Sequence, residues 1–181
     1  MKQVEQLTDW VRQKHLGQQI KKTGEPYFTH LAAVANMAGQ YTLLGYEIGL
    51  CHDLLEDTDT TLAELHVALT SFNYSPAEAS YIAAAVIELT DVFTATAYPG
   101  LSKKARKEKE ALRLQAVSAG AQTVKYCDLV DNITWVLEHD QRHAIEYLEK
   151  KKLLLAGMTN GNKKMLQKAL NAVNNGLSGN S

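Results

Sequence analysis

Residues 48–58 read IGLCHDLLEDT, and this stretch decides how the chain folds. An apolar run leads directly into four ionisable residues, His52, Asp53, Glu56 and Asp57. With about 3.6 residues per helical turn, His52 would stack above Glu56, and Asp53 above Asp57, on one side of a helix. The apolar neighbours draw this helix into a core, where charges persist only if they are paired or bound to a metal ion.

The adjacent His52 and Asp53 are a candidate metal site because they offer an imidazole nitrogen and a carboxylate oxygen to one cation. Glu56 and Asp57 lie one turn further along, where they are placed to handle a proton. The alternative is an acidic face in solvent that happens to include a histidine, and the hydrophobic run before it fits a surface helix poorly. We therefore predict one functional helix from about Glu47 to Glu56.

Composition limits the classes of function. The length of 181 residues suits one domain with a substantial core. The 19 basic and 20 acidic side chains nearly balance, so no overall field recruits nucleic acid or an anionic membrane, and we predict neither partner. Cys51 and Cys127 lie in helical patterns of a chain without a secretory signal or a membrane-spanning run, which predicts free thiols and a cytoplasmic protein.

Helical periodicity recurs along the chain without any alternating strand pattern of useful length, so the predicted fold class is all-α, a single helical bundle. The predicted helices cover about residues 3–16, 30–40, 47–56, 62–70, 76–90, 122–138, 143–158 and 163–173. Thr61 with Glu64 predicts a capping box, and Pro76 predicts another helix start. We expect one domain at 1–160, followed by a weak C-terminal helix and a mobile tail within 161–181.

Two other helices carry residues suited to the same site. His30 lies in the first turns of the helix that precedes the His52 segment. Asp128, Asp131 and Asn132 share one face of the helix predicted at 122–138, because they are three and four residues apart. Asp128 can therefore reach a shared metal ion from a different helix.

One glycine and two basic segments complete the sequence-based predictions, and two of these three features have alternative interpretations. Gly49 precedes Asp53 by one turn, and its missing side chain either leaves room for a ligand or permits tight helix packing. The basic segment 103–113 is either a solvated helix face or an arm that contacts phosphate above the His52 helix. We expect Lys150–Lys152 to face solvent.

The order of His30, His52-Asp53 and Asp128 resembles the H…HD…D pattern of the HD metal-dependent phosphohydrolase superfamily. Residues 22–30, KTGEPYFTH, are similar to the segment around the first ligand in RelA/SpoT-type alarmone hydrolase domains. The sequence HDLLEDT resembles their HDxxEDT motif. Residues 124–132, VKYCDLVDN, resemble their third block, K-[LY]-[AC]-D-x-x-x-N.

This resemblance covers about residues 3–158 and implies a stand-alone small alarmone hydrolase, since nothing matches the synthetase half of the long bifunctional relatives. It implies one divalent ion, usually manganese in this family. The residues that match its ligands are His30, His52, Asp53 and Asp128. Glu56 and Asp57 match the acidic pair that orients or deprotonates the attacking water, Asn132 matches a residue near the nucleotide, and Tyr147 resembles a substrate-side tyrosine.

The predicted phosphate-binding residues are less well defined. Lys21 stands where many relatives have an arginine that packs on guanine, and lysine cannot reproduce planar stacking, so the preference between guanine and adenine is open. We predict that Lys21 and Lys22, together with Lys103 and Arg106 of the basic segment, hold the part of the substrate beyond the metal ion. Asp131 occupies a position that is often His or Tyr in relatives, and its role is open.

The expected function is metal-dependent hydrolysis of a nucleotide 3′-pyrophosphate, (p)ppGpp-like, to pyrophosphate and GDP or GTP. The expected partner is a small nucleotide, and a homodimer is compatible with the sequence. One alternative is an HD-type nucleotidase or phosphodiesterase that acts on another nucleotide. The other is a non-catalytic nucleotide sensor, against which the intact Glu56 and Asp57 argue.

Overall fold

The computed structural model describes residues 2–179, which form an all-α bundle. Its helices are α1 Gln3–Lys14, α2 Phe28–Ala38, α3 Gly45–Cys51, α4 Leu54–Asp57, α5 Leu62–Ser71, α6 Pro76–Leu89, α7 Lys103–Leu114, α8 Ala119–His139, α9 Gln141–Gly157 and α10 Lys163–Gly179. An isolated antiparallel bridge joins Gln19 to Pro26. The predicted fold class is confirmed. Within residues 2–179, every helix is either too short or too polar to span a lipid bilayer.

Local sequence signals set the starts of α5 and α6. The Thr61 hydroxyl accepts a hydrogen bond from Glu64 N at 3.2 Å, and the Glu64 carboxylate accepts one from Thr61 N at 2.7 Å. Ser75 and Glu78 form the same reciprocal pair before α6, which begins at Pro76. Each pair satisfies backbone donors that the first helical turn leaves without partners. Both predicted helix starts are confirmed.

The centre of the bundle is formed by α2, which packs against α3 and α8. Gly49 lets α3 approach α2 closely, because a Cβ atom at this position would lie 2.9 Å from Ala35 Cα and 3.0 Å from Ala35 N. Leu31 of α2 and Val124 of α8 are fully buried in the same core. Tight helix packing, rather than space for a ligand, therefore explains Gly49.

The structure differs most from the predicted helices at His52 and Asp53. The single helix predicted from residue 47 to residue 56 is wrong, because α3 ends at Cys51 and α4 begins at Leu54. Asp53 lies between them with φ −102° and ψ 2°. On an unbroken helix, consecutive side chains diverge by about 100°. The break allows two consecutive side chains to approach each other, with His52 Nε2 lying 3.0 Å from Asp53 Oδ2.

The C-terminal helix α10 continues the core beyond residue 160. It packs on α8 and α9 and buries the apolar side chains of Met165, Ala169 and Val173. The helix reaches Gly179, although the sequence predicted a helix only to residue 173 and a tail after it. Buried Gly176 accommodates α9, because a Cβ atom there would lie 2.8 Å from Leu148 Cδ1. Residues 180–181 of the predicted tail lie outside the described residues, and the division at residue 160 stays a prediction.

Candidate active site

Side chains from three parts of the bundle meet near the start of α2. His30 lies in the first turn of α2, His52 and Asp53 occupy the break between α3 and α4, and Asp128 lies in α8. His30 Nε2 is 3.4 Å from Asp128 Oδ1 and 3.8 Å from Asp53 Oδ2. His52 Nε2 is 3.8 Å from Asp128 Oδ1. The structure thus brings together all four residues that the sequence predicts as metal ligands.

Hydrogen bonds orient both imidazoles of this cluster. His52 Nδ1 lies 2.7 Å from Gly49 O, and His30 Nδ1 lies 2.6 Å from Asp131 Oδ2. A carbonyl or an ionised carboxylate can only accept, so each imidazole donates from Nδ1, and Nε2 of each ring is the atom that can bind a metal ion once it carries no proton. Metal-binding histidines commonly have such a partner on the far nitrogen. Asp131, whose role the sequence left open, therefore orients His30.

The two carboxylates of the cluster also have fixed partners. Lys125 Nζ lies 2.7 Å from Asp128 Oδ2, and Asn132 Nδ2 donates a hydrogen bond to Asp128 Oδ1. The Tyr27 hydroxyl donates to Asp53 Oδ2 at 2.6 Å. These contacts restrict each carboxylate to one orientation before any ligand is bound, so the cluster is preorganised.

The buried charges shift the protonation of one another. Burial lowers the pKa of His30, but the hydrogen bonds to Asp128 and Asp131 and the charges of Asp128 and Asp53 together outweigh burial and raise this pKa to about 10. Burial raises the pKa of Asp128, but the Lys125 charge, together with His30 and His52, outweighs burial and holds this pKa well below its usual range. Burial also raises the pKa of Asp53, whereas the charge and hydrogen bond of His52 lower it, and the net effect is a lowered pKa. Both carboxyl groups are therefore ionised, which favours a bound cation.

His52 Nε2 is the clearest sign that a cation fits this cluster. The atom is buried and lies 3.0 Å from Asp53 Oδ2, but it makes no well-aligned hydrogen bond with any group in residues 2–179. A buried polar atom without a partner costs stability, and a divalent ion would supply that partner. The ligand atoms of His30, His52 and Asp53 all lie within 4.8 Å of one another. Imidazole and carboxylate ligands together suit Mn²⁺ or a similar divalent ion.

Glu56 and Asp57 lie on the short helix α4, just beyond the His52-Asp53 break, and their side chains reach the surface. The Glu56 carboxylate accepts a hydrogen bond from Asp91 N. Gln18 Nε2 donates to the backbone carbonyl of Asp57 at 2.5 Å. Partial burial raises the pKa of both acids above its ordinary value. A carboxylate with a raised pKa accepts a proton more readily near neutral pH.

A cavity of 270 Å³ opens beside His30. Its lining residues are Ile20, Glu25, Thr29, His30, Asp131, Thr134, Trp135, Glu138 and His139. Trp135 contributes an aromatic ring, and its Nε1 is buried without a hydrogen-bond partner in the part of the chain that the structure describes. An aromatic face beside a candidate metal centre suits a planar heterocycle such as a nucleobase.

The two lysines predicted to bind phosphate lie in the loop between α1 and α2. Lys21 is exposed there. Lys22 Nζ pairs with Asp140 at 2.7 Å and lies 5.9 Å from the centre of the Trp135 ring. The loop segment with Lys22 therefore borders the cavity that Trp135 lines. Contact between either lysine and phosphate stays a prediction.

Of the remaining residues predicted to bind substrate, two lie near the cluster and two lie in the basic segment. Asn132 reaches the cluster through its bond to Asp128. Burial, followed by the Asp128 charge, raises the pKa of the Tyr147 hydroxyl, which faces the same region from α9. Lys103 is exposed at the start of α7, and Arg106 donates to Leu101 O at 2.5 Å. Within residues 2–179, neither basic residue forms a hydrogen bond or ion pair with the four ligands, and their substrate contact stays a prediction.

Tyr27 and Lys125 contact the cluster, although the sequence analysis assigned neither of them a role. Each lies three residues before a predicted ligand, Tyr27 before His30 and Lys125 before Asp128. Residues three apart are neighbours on a helix surface. Polar residues at this spacing from each predicted ligand are the signal that could have identified both.

Comparisons with known proteins agree with this geometry. The chain is 30% identical over 136 residues to the guanosine-3′,5′-bis(diphosphate) 3′-pyrophosphohydrolase MESH1 of Mus musculus, a match that spans 72% of this chain and 68% of the mouse protein. The human MESH1 protein matches with the same identity and coverage. The corresponding pyrophosphohydrolase of Aquifex aeolicus is 38% identical over 68 residues, or 35% of this chain and 9% of the Aquifex protein. No protein-family model matches the chain.

The fold is also that of a known hydrolase. A solved structure of a metazoan ortholog of SpoT, reported to hydrolyse ppGpp and to play a role in starvation responses, superposes with a TM-score of 0.76 at 21% identity. The match covers 98% of this chain and 97% of the solved chain. The all-α fold with its histidine and aspartate cluster thus defines an HD-type domain. The chain belongs to the HD-type ppGpp 3′-pyrophosphohydrolase family.

Proposed function

We propose that this chain hydrolyses a nucleotide 3′-pyrophosphate of the (p)ppGpp type to pyrophosphate and GDP or GTP. The observation that supports it most is the convergence of His30, His52, Asp53 and Asp128 in a chain of this family. In this reaction, the oxygen of a water molecule bonds to the phosphorus nearest the ribose. The bond from that phosphorus to O3′ breaks, and O3′ takes up a proton.

The cluster would hold one divalent ion, for which we propose Mn²⁺ because of its mixed imidazole and carboxylate ligands. The bound ion supplies charge neutralisation at the phosphoryl oxygens and a lowered pKa for water. The chain itself contributes by orienting the side chains that would bind the ion. Asp131 and Gly49 O fix the two imidazoles, while Lys125 and Asn132 fix Asp128.

Glu56 and Asp57 are proposed to manage the proton of the attacking water. Both lie on α4, directly after the ligand Asp53, and neither belongs to the cluster of ligand atoms. Their carboxylates carry raised pKa values because of partial burial, which favours proton uptake. The hydrogen bond from the Gln18 side-chain amide to the backbone carbonyl of Asp57 helps to hold α4 in place. This pair therefore acts in chemistry rather than in retention of the metal ion.

The cavity beside His30 is proposed to hold the nucleobase. Its volume of 270 Å³ and the Trp135 ring fit a planar heterocycle. Because Asp131 lines this cavity and also orients His30, a base bound here lies next to the metal cluster. The base and the 3′ substituent would then occupy adjacent parts of one site.

The test is a substrate panel assayed with protein loaded with Mn²⁺. The panel contains guanosine and adenosine 3′-pyrophosphates, the matching 3′-monophosphates, simple 5′-monophosphates and a cyclic dinucleotide. Release of pyrophosphate from a 3′-pyrophosphate supports the proposal. Cleavage of only monophosphates or cyclic dinucleotides would replace it with a nucleotidase or phosphodiesterase, and tight binding without any turnover would indicate a nucleotide sensor.

The partner, the oligomeric state, the cellular location and the native metal ion remain proposals. A nucleotide is the proposed partner, and a homodimer stays a prediction that light scattering of the purified protein would test. The cytoplasmic location rests on sequence composition and stays a prediction. The identity of the native metal ion is open to elemental analysis of protein purified without added metal.

A further inference from the structure

Lys151 differs from the lysines on either side of it. The sequence predicted that all of Lys150–Lys152 face solvent, and this is wrong for the middle one. Lys150 pairs with Glu146 at 2.5 Å on the exposed face of α9, and Lys152 is exposed. Lys151 is half-buried, and its Nζ lies 4.9 Å from the centre of the Tyr147 ring. The ring holds the ammonium group in place through a cation–π contact.

The charges around Lys151 leave its ammonium group without a counter-ion. No carboxylate forms an ion pair with it within residues 2–179, because Asp128 pairs with Lys125 and Asp91 pairs with Lys107. Burial lowers the pKa of Lys151, and the nearby Lys125 charge lowers it further, against the opposing effect of Asp128, to about 8. Lys107 and Asp91 act on it in opposite directions. A half-buried cation without a partner favours binding of an anion.

The position of this cation relative to the cluster indicates which anion it would bind. Lys125 is already committed to the ligand Asp128, with 2.7 Å between the charged atoms. Among the described residues, Lys151 forms no ion pair or hydrogen bond with any of the four proposed ligands. Its ammonium group lies over the Tyr147 ring on α9, close enough to Lys125 and Asp128 for both charges to act on it. It therefore lies farther from the metal cluster than Lys125. A group that extends outward from the metal-bound phosphate would reach it.

We propose that Lys151 binds the outer phosphate of a pyrophosphate group and so makes the site prefer pyrophosphate esters to monophosphate esters. This inference rests on the proposed function, because it places the inner phosphate at the metal cluster. It assigns the discrimination to a side chain on α9, outside every segment that the sequence analysis connected with phosphate. Lysine is suited to this role as a compact point charge with three donors.

The test compares three variants with two matched controls. Lys151→Met removes the charge and keeps an apolar stem on Tyr147, Lys151→Gln is a second neutral variant, and Lys151→Arg retains the charge. Lys150→Met and Lys152→Met make the same change on the exposed neighbours. Calorimetry measures binding of inorganic pyrophosphate and of orthophosphate to protein loaded with Mn²⁺ and freed of unbound metal ion. Thermal unfolding of each variant reports on its fold.

The neutral variants are expected to bind pyrophosphate about 10- to 100-fold more weakly, the usual size of a lost hydrogen bond to a charged group. Orthophosphate binding should change by less than about threefold, and Lys151→Arg should recover most of the pyrophosphate affinity. In buffers of different ionisation enthalpy near pH 8, wild-type protein should take up more protons on binding pyrophosphate than Lys151→Met does. A purely structural role would not move this difference in proton uptake.

Two outcomes separate this inference from the proposed function. In the first, wild-type protein cleaves a 3′-pyrophosphate, and Lys151→Met and Lys151→Gln both fold and bind pyrophosphate as tightly as wild type does. The role of Lys151 is then refuted, while the proposed function stands. Equal losses in the controls Lys150→Met and Lys152→Met would refute it too. If wild type cleaves no 3′-pyrophosphate, yet loss of the Lys151 charge selectively weakens pyrophosphate binding, the proposed reaction fails and the pyrophosphate subsite stands.

Discussion

Replacement of Gly49 by alanine tests how the crossing of α2 and α3 supports the candidate site. The new Cβ atom would lie 2.9 Å from Ala35 Cα and 3.0 Å from Ala35 N, so it meets backbone that cannot rotate away. Overpacking of this kind costs about 1–3 kcal/mol, whereas alanine in place of glycine in a helix gains about 1 kcal/mol. Since the contact is with backbone, we expect a net loss of about 1–2 kcal/mol. For a chain of this length, that loss lowers Tm by about 2–8 °C.

The same substitution should also weaken metal binding. Gly49 O accepts the hydrogen bond from His52 Nδ1, so a shift of α3 away from α2 moves His52 relative to His30. Loss of such an orienting contact typically costs about 10-fold or more in metal affinity. Differential scanning calorimetry gives Tm, and calorimetric titration with Mn²⁺ gives the affinity.

Gly100→Ala is the matched control, because a Cβ atom there would meet nothing within 4 Å. Its free energy of unfolding should stay within about 0.5 kcal/mol of wild type. The reasoning would be refuted if Gly49→Ala protein melted at or above the wild-type Tm. That result would mean that α2 and α3 can move apart without a loss in the free energy of unfolding.

Five other substitutions address the site directly. Asp128→Ala should abolish metal retention, and elemental analysis showing full occupancy would contradict its assignment as a ligand. Asp131→Asn should weaken Mn²⁺ binding by about 10- to 100-fold in a calorimetric titration, because it weakens the acceptor that orients His30; wild-type affinity would remove that role. Glu56→Gln and Asp57→Asn should retain the metal ion and lower kcat by about 10²–10⁴, and near wild-type kcat in both would leave the mechanism without a base. Lys21→Arg should increase the ratio of kcat/KM for guanosine over adenosine 3′-pyrophosphate, and an unchanged ratio would argue against stacking at this position.

The parts of the fold that could be predicted from sequence are those set by local interactions. The reciprocal caps at Thr61 and Ser75 depend on residues three positions away, so their effect is visible in the sequence itself. The extension of α10 beyond Val173 depends on Gly176 lying against Leu148 of α9, a contact between residues far apart in the chain. Asparagine and glycine favour an end to a helix on local grounds, and tertiary packing overrides that preference here.

In the candidate site too, some features could be predicted from local sequence and others depend on contacts between residues far apart in the chain. The proximity of His30, His52, Asp53 and Asp128 could be predicted because four residues of suitable chemistry lie at recognisable positions in three segments, and their role as metal ligands stays a prediction. The helix break at His52 and Asp53 could not, since the local sequence favours a continuous helix and the break depends on packing around it. The inward position of Lys151 could not be predicted either, because Lys150–Lys152 are identical in sequence and only the orientation of α9 distinguishes them.

The unbroken helix α8 carries the candidate ligand Asp128 and, about two and three turns later, the cavity-lining residues Trp135 and His139. At about 1.5 Å per residue, Asp128 and Trp135 are separated by about 10 Å along the helix axis. Substitutions at the distal turns can therefore reshape the cavity without displacing the ligand. If the cavity holds the nucleobase, as proposed, Trp135 and His139 contribute to base recognition and Asp128 to metal binding from different turns of one rigid helix, so a substitution at Trp135 or His139 is expected to alter the base preference and leave the metal affinity unchanged.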